Sequence, residues 1–433
     1  MQKHISFLLS LLLMLLCLPA LAEAPAEPVD YAGQLPFNRG SDTVKAEVTV
    51  KTYVDGDTVH FHVDEQIVES GILKARFLAI NTPECTGKIE EYGKKAAAFT
   101  REKLSQAESI IVESDNGTWN LDSTGGRYLV WVWYKPPGAA AYRNLNLEIL
   151  QNGLCKGNST ANNRYGSICN SALSQAMALK LNVFSGQKDP DFYYGDAQEL
   201  TLKELRANIG SYDGTKVAFN GVITMNSGQS VYVESFDEET GLYYGMSVYY
   251  GHGLSGAGLN ILSVGNEVRI VGTVQYYEAG GTWQVSGLTY RMMKPKDPGN
   301  IQKLSDGHSP AWTLTSPDTF LGQVSIPVGE TDQTFDYAML ALATSVEMRG
   351  MTVKEVYTTM DEESSSFGAM TLTCEADGQT ILVRTVPLYD GNTPVTEDRF
   401  LGKTIDVKGI VDYYEGHYQL KVFTLNSITF NNE

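Results

Sequence analysis

From Lys45 onward apolar residues alternate with polar ones: Val48, Val50, Tyr53 and Val54 run into Asp55-Gly56, and Val59, Phe61 and Val63 run out of it. That period buries one face of each strand, and the Asp-Gly pair between them predicts a hairpin turn. Ile72 to Ile80 predicts another strand. The spacing then changes, because Tyr92, Ala96, Phe99 and Leu104 recur at helical intervals among Lys, Glu and Ala, predicting a helix over roughly Glu90 to Ala107. Ile110 to Glu113 and Arg127 to Tyr134 return to strand character, the second with Tyr128, Trp131, Trp133 and Tyr134, whose bulk suits a barrel wall. Leu145 to Asn152 predicts a helix capped by Asn144 or Asn146 and stopped by Gly153, and Ser171 to Leu181 predicts a third. Five strands with three helices in that order imply a small β-barrel.

The C-terminal half repeats itself. Val264 to Tyr290 and Leu401 to Phe430 share the order Gly, polar strand, Gly, strand, Tyr-Tyr-Glu, turn, strand, and each copy follows hairpin-like pairs, at Lys216 to Tyr250 and at Gly350 to Leu388. Five strands with a loop or short helix before the fourth is the order of an OB-fold. The expected fold class is therefore mainly β with α: an OB-fold-like five-stranded barrel with three helices, then two OB-like barrels. The expected divisions are a signal peptide at 1–22, a linker at 23–44, the first barrel domain at 45–190, an OB-like barrel at 199–292, a Pro- and Gly-rich linker at 293–312, and a second OB-like barrel at 313–433.

The signal peptide rests on Lys3 and His4 ahead of an apolar run from Ile5 to Leu21 that ends in Ala20-Leu21-Ala22. Export is the expectation, with a mature chain beginning near Glu23, a secreted or extracytoplasmic location and no integral membrane segment after cleavage. Cys85, Cys155, Cys169 and Cys374 then face an oxidising compartment, where Cys155 and Cys169 make the preferred disulfide pair. Charge is uneven. Residues 45–190 hold 16 basic against 16 acidic residues, whereas 191–433 hold 15 against 31. The second half thus has no broad electrostatic attraction for nucleic acid.

Cleaving a phosphodiester needs a base for water, cations for the phosphate oxygens and usually a hard divalent metal. Three stretches of the first domain bring such groups: Asp55-Gly56-Asp57-Thr58, Arg76 to Glu84, and Asp122 to Arg127 after Gly125-Gly126. Singly each has a bland reading, as turn residues, a strand-edge charge or a solvated carboxylate. On a flat strand Arg76 and Asn81 would face opposite sides, so for both to share a site the chain must bend near Asn81, and Thr82-Pro83 is where that bend is expected.

Taken in order, VDGDTVHF, RFLAINTPE, EEYGKKAAAFTREKL, DSTGGRYLVWVW, LNLEILQNGL and LKLNVFSG make the segment from about Lys45 to Gly186 resemble the thermonuclease, or staphylococcal nuclease, family. The resemblance implies a calcium site of Asp57, Asn81 and the Thr82 carbonyl, Glu84 as general base through water, and Arg76 and Arg127 on the phosphate. It also implies a calcium-dependent (Ca2+) endonuclease of DNA and RNA that leaves 3′-phosphates. Two positions depart from the family pattern: Asn81 stands where an aspartate is usual, removing a negative charge, and Gly125 where a tyrosine is common. Two alternatives stay open, a catalytically impaired nucleic-acid-binding protein and a protein whose acidic half binds a cell-envelope partner.

Overall fold

The computed structural model describes residues 27–361, 364 and 366–431; the signal peptide expected at 1–22 lies outside them. Among the described residues, five strands in each of three sheets close into a barrel. The first is built from β1 (Lys45–Asp55), β2 (Thr58–His62), β3 (Ile72–Phe77), β4 (Ser109–Glu113) and β5 (Tyr128–Lys135). Pairing β3 with β5 in parallel, Arg76 opposite Leu129, closes it. Trp131 and Trp133 are fully buried in its core, as the barrel-wall reading expects.

Three helices cover this barrel: α1 (Gly93–Ser105), α2 (Leu145–Gln151) and α3 (Gly166–Ala178). The buried face of α1 is Gly93, Ala96, Thr100 and Leu104, with Phe99 partly buried beside it, and Thr100 donates to the Gly56 carbonyl at 2.7 Å. Asn144 caps α2 through Leu147 N. Asn146 instead turns its amide inward, accepting from Val132 N and donating to the carbonyls of Leu78 and Val130. α3 begins five residues before the expected Ser171, because Gly166, Cys169 and Ala172 are small or apolar enough to lie buried in one line.

Two sequence expectations are corrected. The described part of the 23–44 stretch is packed, not a loose tail: Ala32 is buried, Phe37 lies 5.1 Å from the Trp133 ring, and Arg143 binds Asp30 at 2.8 Å. The stretch has few apolar residues, but Tyr31, Ala32, Leu35 and Phe37 pack with the core of the first barrel. Cys155 and Cys169, expected as a disulfide, are separate thiols in the first core, where burial keeps both protonated, and Cys85 and Cys374 are free as well.

The second barrel comprises β6 (Lys216–Ser227), β7 (Ser230–Asp237), β8 (Leu242–Tyr249), β9 (Glu267–Tyr277) and β10 (Thr282–Ser286). The third comprises β11 (Ser345–Thr358), β12 (Met370–Ala376), β13 (Gln379–Thr385), β14 (Thr404–Tyr414) and β15 (His417–Val422). The two sequence repeats become β9–β10 and β14–β15, and in each barrel the longer strand of the pair closes the sheet against the first strand. Within 293–312, Gln302–Ser305 adds to β9 as an edge strand. Ile326 and Leu340, just ahead of the third barrel, pack into the core of the second, and Tyr232 of β7 clusters with Ile410 of β14, so these two barrels share apolar contacts. No helix among the described residues is long and apolar enough to cross a membrane.

Candidate active site

The Asp55-Gly56-Asp57 turn, the segment after β3 and the start of α1 meet at one corner of the first barrel. Gly56 makes this possible, since a Cβ there would lie 2.8 Å from Thr82 Cγ2 and 2.9 Å from Ala96 Cβ. Asp57 is 0% exposed, and a carboxylate so buried needs strong partners. It has three: Thr82 N donates to Oδ2 at 2.8 Å, Thr58 Oγ1 to Oδ1 at 3.0 Å, and the Arg76 guanidinium pairs with Oδ1.

Arg76 also donates to Asn81 Oδ1. One guanidinium therefore bridges two residues of the expected metal set. The bend that brings Arg76 and Asn81 together lies at Leu78 and Ala79, earlier than Thr82-Pro83. Ala79 adopts a left-handed φ of 67°, and Ile80–Asn81 then forms a short strand against Lys156–Gly157. The turn carbonyls are satisfied by Asn146 Nδ2 on Leu78 and Asn158 N on Ala79, which holds the unusual backbone in place.

Asp55 and Glu84 bring two further carboxyls, within hydrogen-bonding reach of each other. Burial pushes Asp55 above its usual range, against the nearby Arg76 and Arg127 charges. Glu84 is pushed up too, first by the protein mass around its carboxyl, although the residue as a whole is exposed, and then by the Asp55 charge. Burial pulls Arg76 below its usual value, while Asp55 opposes that pull and Arg127 adds to it. The interaction between them favours an ionised Asp55 and a protonated Glu84, so beside two arginines the pair forms a place where a proton can be held or released.

Arg127 stands at the mouth, immediately before β5. Its guanidinium grips Asp122 Oδ2 at 2.7 Å, and Asp122 accepts from Thr124 Oγ1 at 2.6 Å. Those bonds hold the Asp122 carboxyl down at about 2 against the raising effect of burial. Asp57, Arg76, Asn81 and Thr82 are thus in direct contact, with Glu84 and Arg127 beside them. Sequence reasoning gave no role to Asp55, the partner of Glu84, or to Asp122, the anchor of Arg127. The Asp-x-Asp spacing of Asp55 and Asp57 was the available signal for the first.

Among the described residues no group of three or more His, Cys, Asp or Glu side chains is disposed to hold a metal ion. Calcium takes oxygen ligands, and Asp57, Asn81 and Thr82 supply only oxygens. The Thr82 hydroxyl is buried without a hydrogen-bond partner, an oxygen to spare in that corner. The donor types fit calcium, with one formal charge, provided Arg76 gives up Asp57 and Asn81. Residues 74–185 match the family model described as Staphylococcal nuclease homologue, a span that includes Arg76, Glu84 and Arg127. The first barrel, whose Asp55-Gly56-Asp57 turn lies just before that span, is a staphylococcal nuclease-like domain, and the two further barrels follow it.

Proposed function

We propose that the protein is an exported calcium-dependent endonuclease that hydrolyses phosphodiester bonds of DNA and RNA and leaves 3′-phosphate ends. The observation that carries the reading is the Asp55–Glu84 carboxyl pair beside Arg76 and Arg127. Glu84 takes the proton of the attacking water, and its raised affinity for protons brings it closer to a working base at neutral pH. Water oxygen bonds to phosphorus as Glu84 takes its proton, the bond to the 5′-oxygen breaks, and that oxygen leaves as an alkoxide that takes a proton from solvent. Arg76 and Arg127 grip the phosphate oxygens as negative charge builds on them. Asp57, Asn81 and the Thr82 carbonyl would hold calcium, which when bound supplies further positive charge to the phosphate.

A second reading has its own observation. Asn81 is neutral, and Arg76 already engages both it and Asp57, an arrangement suited to a protein that retains nucleic acid without cutting it. One assay separates the two: plasmid DNA and RNA incubated with the purified chain in millimolar calcium or chelator, alongside Glu84→Gln and Arg127→Ala. Cleavage by the native chain that is at least 100-fold faster than by either variant is the expected result, on the order of what a positioned base or charge contributes. Equal rates for the native chain and Glu84→Gln sink the enzyme reading.

A further inference from the structure

Between the first and second barrels runs a cleft of about 980 Å³. Asp55, Thr58 and Arg127 line it on the first barrel, and Tyr249, Tyr276 and Tyr277 line it on the second. It therefore opens directly onto the candidate active site. We propose that this cleft binds the bases of a single-stranded nucleic acid, with Tyr276 and Tyr277 as its stacking surfaces. The proposal rests on the phosphodiesterase reading only for the position of the scissile phosphate.

The rings have the right disposition. Tyr276 and Tyr277 end β9 and are 50% and 48% exposed, so neither is needed to fill the barrel core. Trp283, opposite Tyr276 on β10, stands edge-on to it with ring centres 5.1 Å apart, which fixes the plane of the tyrosine. Faces of this kind accept any base, because every base has a π-surface.

The walls are held at a fixed spacing. Gln275 and Gly87 exchange two hydrogen bonds, Gly87 N to Gln275 Oε1 at 3.1 Å and Gln275 Nε2 to Gly87 O at 2.8 Å. Ser286 Oγ adds a third to the Gly87 carbonyl at 3.0 Å. Lys94 pairs with Asp213 at 2.6 Å, and Arg101 pairs with Glu278. Gly87 lies three residues beyond Glu84, so the second barrel grips the same loop that carries the expected base.

The charges choose the class of ligand. Both cations that could have drawn a phosphate chain along the cleft, Lys94 and Arg101, are already neutralised by acidic partners across it. Arg101 is further occupied over the Tyr53 ring at 4.4 Å. What remains, leading from Arg127, carries the rings of Tyr249, Tyr276 and Tyr277 among small and polar side chains, which suits planar neutral groups attached to a phosphate held at one end. A duplex hides its base faces and presents phosphates to the second barrel, whose half of the chain is acidic, so a single strand is the ligand that fits.

Fluorescence anisotropy of a labelled single-stranded oligonucleotide of about 12 nucleotides, in chelator so that nothing is cut, tests the proposal on the full chain. Tyr276→Ala and Tyr277→Ala should each weaken binding about tenfold, as loss of a stacked base does. Tyr276→Phe and Tyr277→Phe keep the ring and should bind within about twofold of the native chain, as should Tyr357→Ala on the third barrel. A duplex of the same sequence should bind less tightly than the single strand. No binding by the native chain, undiminished binding by both alanine variants, equal losses with Phe and Ala, or a duplex bound as tightly as the single strand overturns the proposal. The cleavage assay is read separately. A chain that binds in a Tyr276-dependent way but never cuts ends the enzyme reading and leaves the cleft, while one that cuts with no dependence on either tyrosine in the binding assay does the reverse.

Discussion

At Asp57 a fully buried carboxylate meets the guanidinium of Arg76, and the same guanidinium takes the amide oxygen of Asn81. A divalent cation entering this corner must displace Arg76, and Asn81 offers only a neutral oxygen in return. Ligand charge count sets calcium affinity in oxygen sites, so Asn81→Asp should tighten calcium binding, on the order of tenfold, in a calorimetric titration of the full chain. Unchanged or weaker binding contradicts this account of position 81. The acidic turn and the Arg76-to-Glu84 run were legible in the residues themselves, because their spacing is local. The Asp55–Glu84 contact was not, since it depends on how β1 and the loop before α1 approach each other in space. Ala79 was also invisible: alanine carries no turn signal, and its left-handed φ is imposed by Asn146 and Asn158 from elsewhere in the fold.

At the level of elements, the loop carrying Glu84 is pressed against the first turn of α1. A Cβ at Gly93 would lie 2.1 Å from the Glu84 carbonyl oxygen and 2.7 Å from its carbon, both backbone atoms that cannot swing aside. Tyr92, just before α1, holds a left-handed φ of 66° and donates its N–H to Asp189 at 2.6 Å, so the helix cannot slide to relieve a clash. Gly93→Ala should therefore move Glu84. The expected outcome is a loss of about 1–3 kcal/mol of stability, the usual cost of overpacking, together with a fall in kcat of at least tenfold, on the order of what a misplaced reacting group costs. Calorimetric melting and steady-state kinetics check the two parts. A variant that melts lower but turns over normally would show that the contact serves only the fold. The helix itself was readable from its apolar period. Tyr92, Ala96 and Leu104 are buried and Phe99 packs against the core as that period expects, but Thr100 was not legible, because this polar residue is buried by a hydrogen bond to Gly56 rather than by hydrophobicity.

Across the whole molecule, the repeat in the second half disclosed two barrels, but nothing in the sequence disclosed how they are joined. Besides the apolar contacts between the second and third barrels, the joints include single polar residues with partners far along the chain: Gln275 on Gly87, 188 residues away, and Glu234 on Ser345, 111 residues away. Arg206, buried against the carbonyls of Gly245 and Leu342 with no acidic partner among the described residues, is pushed down to about 10 by burial. Glu234 is the joint whose behaviour should depend on pH. Ser345 N and Oγ and Ala311 N all donate to its carboxylate, at 2.7 to 2.9 Å, yet burial still raises its pKa above the ordinary value of 4.5. Between that value and the raised one, the folded protein holds a proton that the unfolded chain has released. The linkage slope there is negative: this joint stabilises most below the unfolded pKa, and its contribution declines as pH rises through the folded pKa. In Glu234→Gln the titration is gone, but the amide nitrogen faces donors where an oxygen accepted them, a pH-independent cost of about 1–3 kcal/mol. Urea unfolding of both proteins from pH 4 to pH 8 should therefore show the native chain ahead by the widest margin at the acid end, with the margin narrowing as pH rises. A margin that stays constant or widens with pH would mean that the three donors outweigh burial at Glu234, and that the joint between the second and third barrels is ionised throughout.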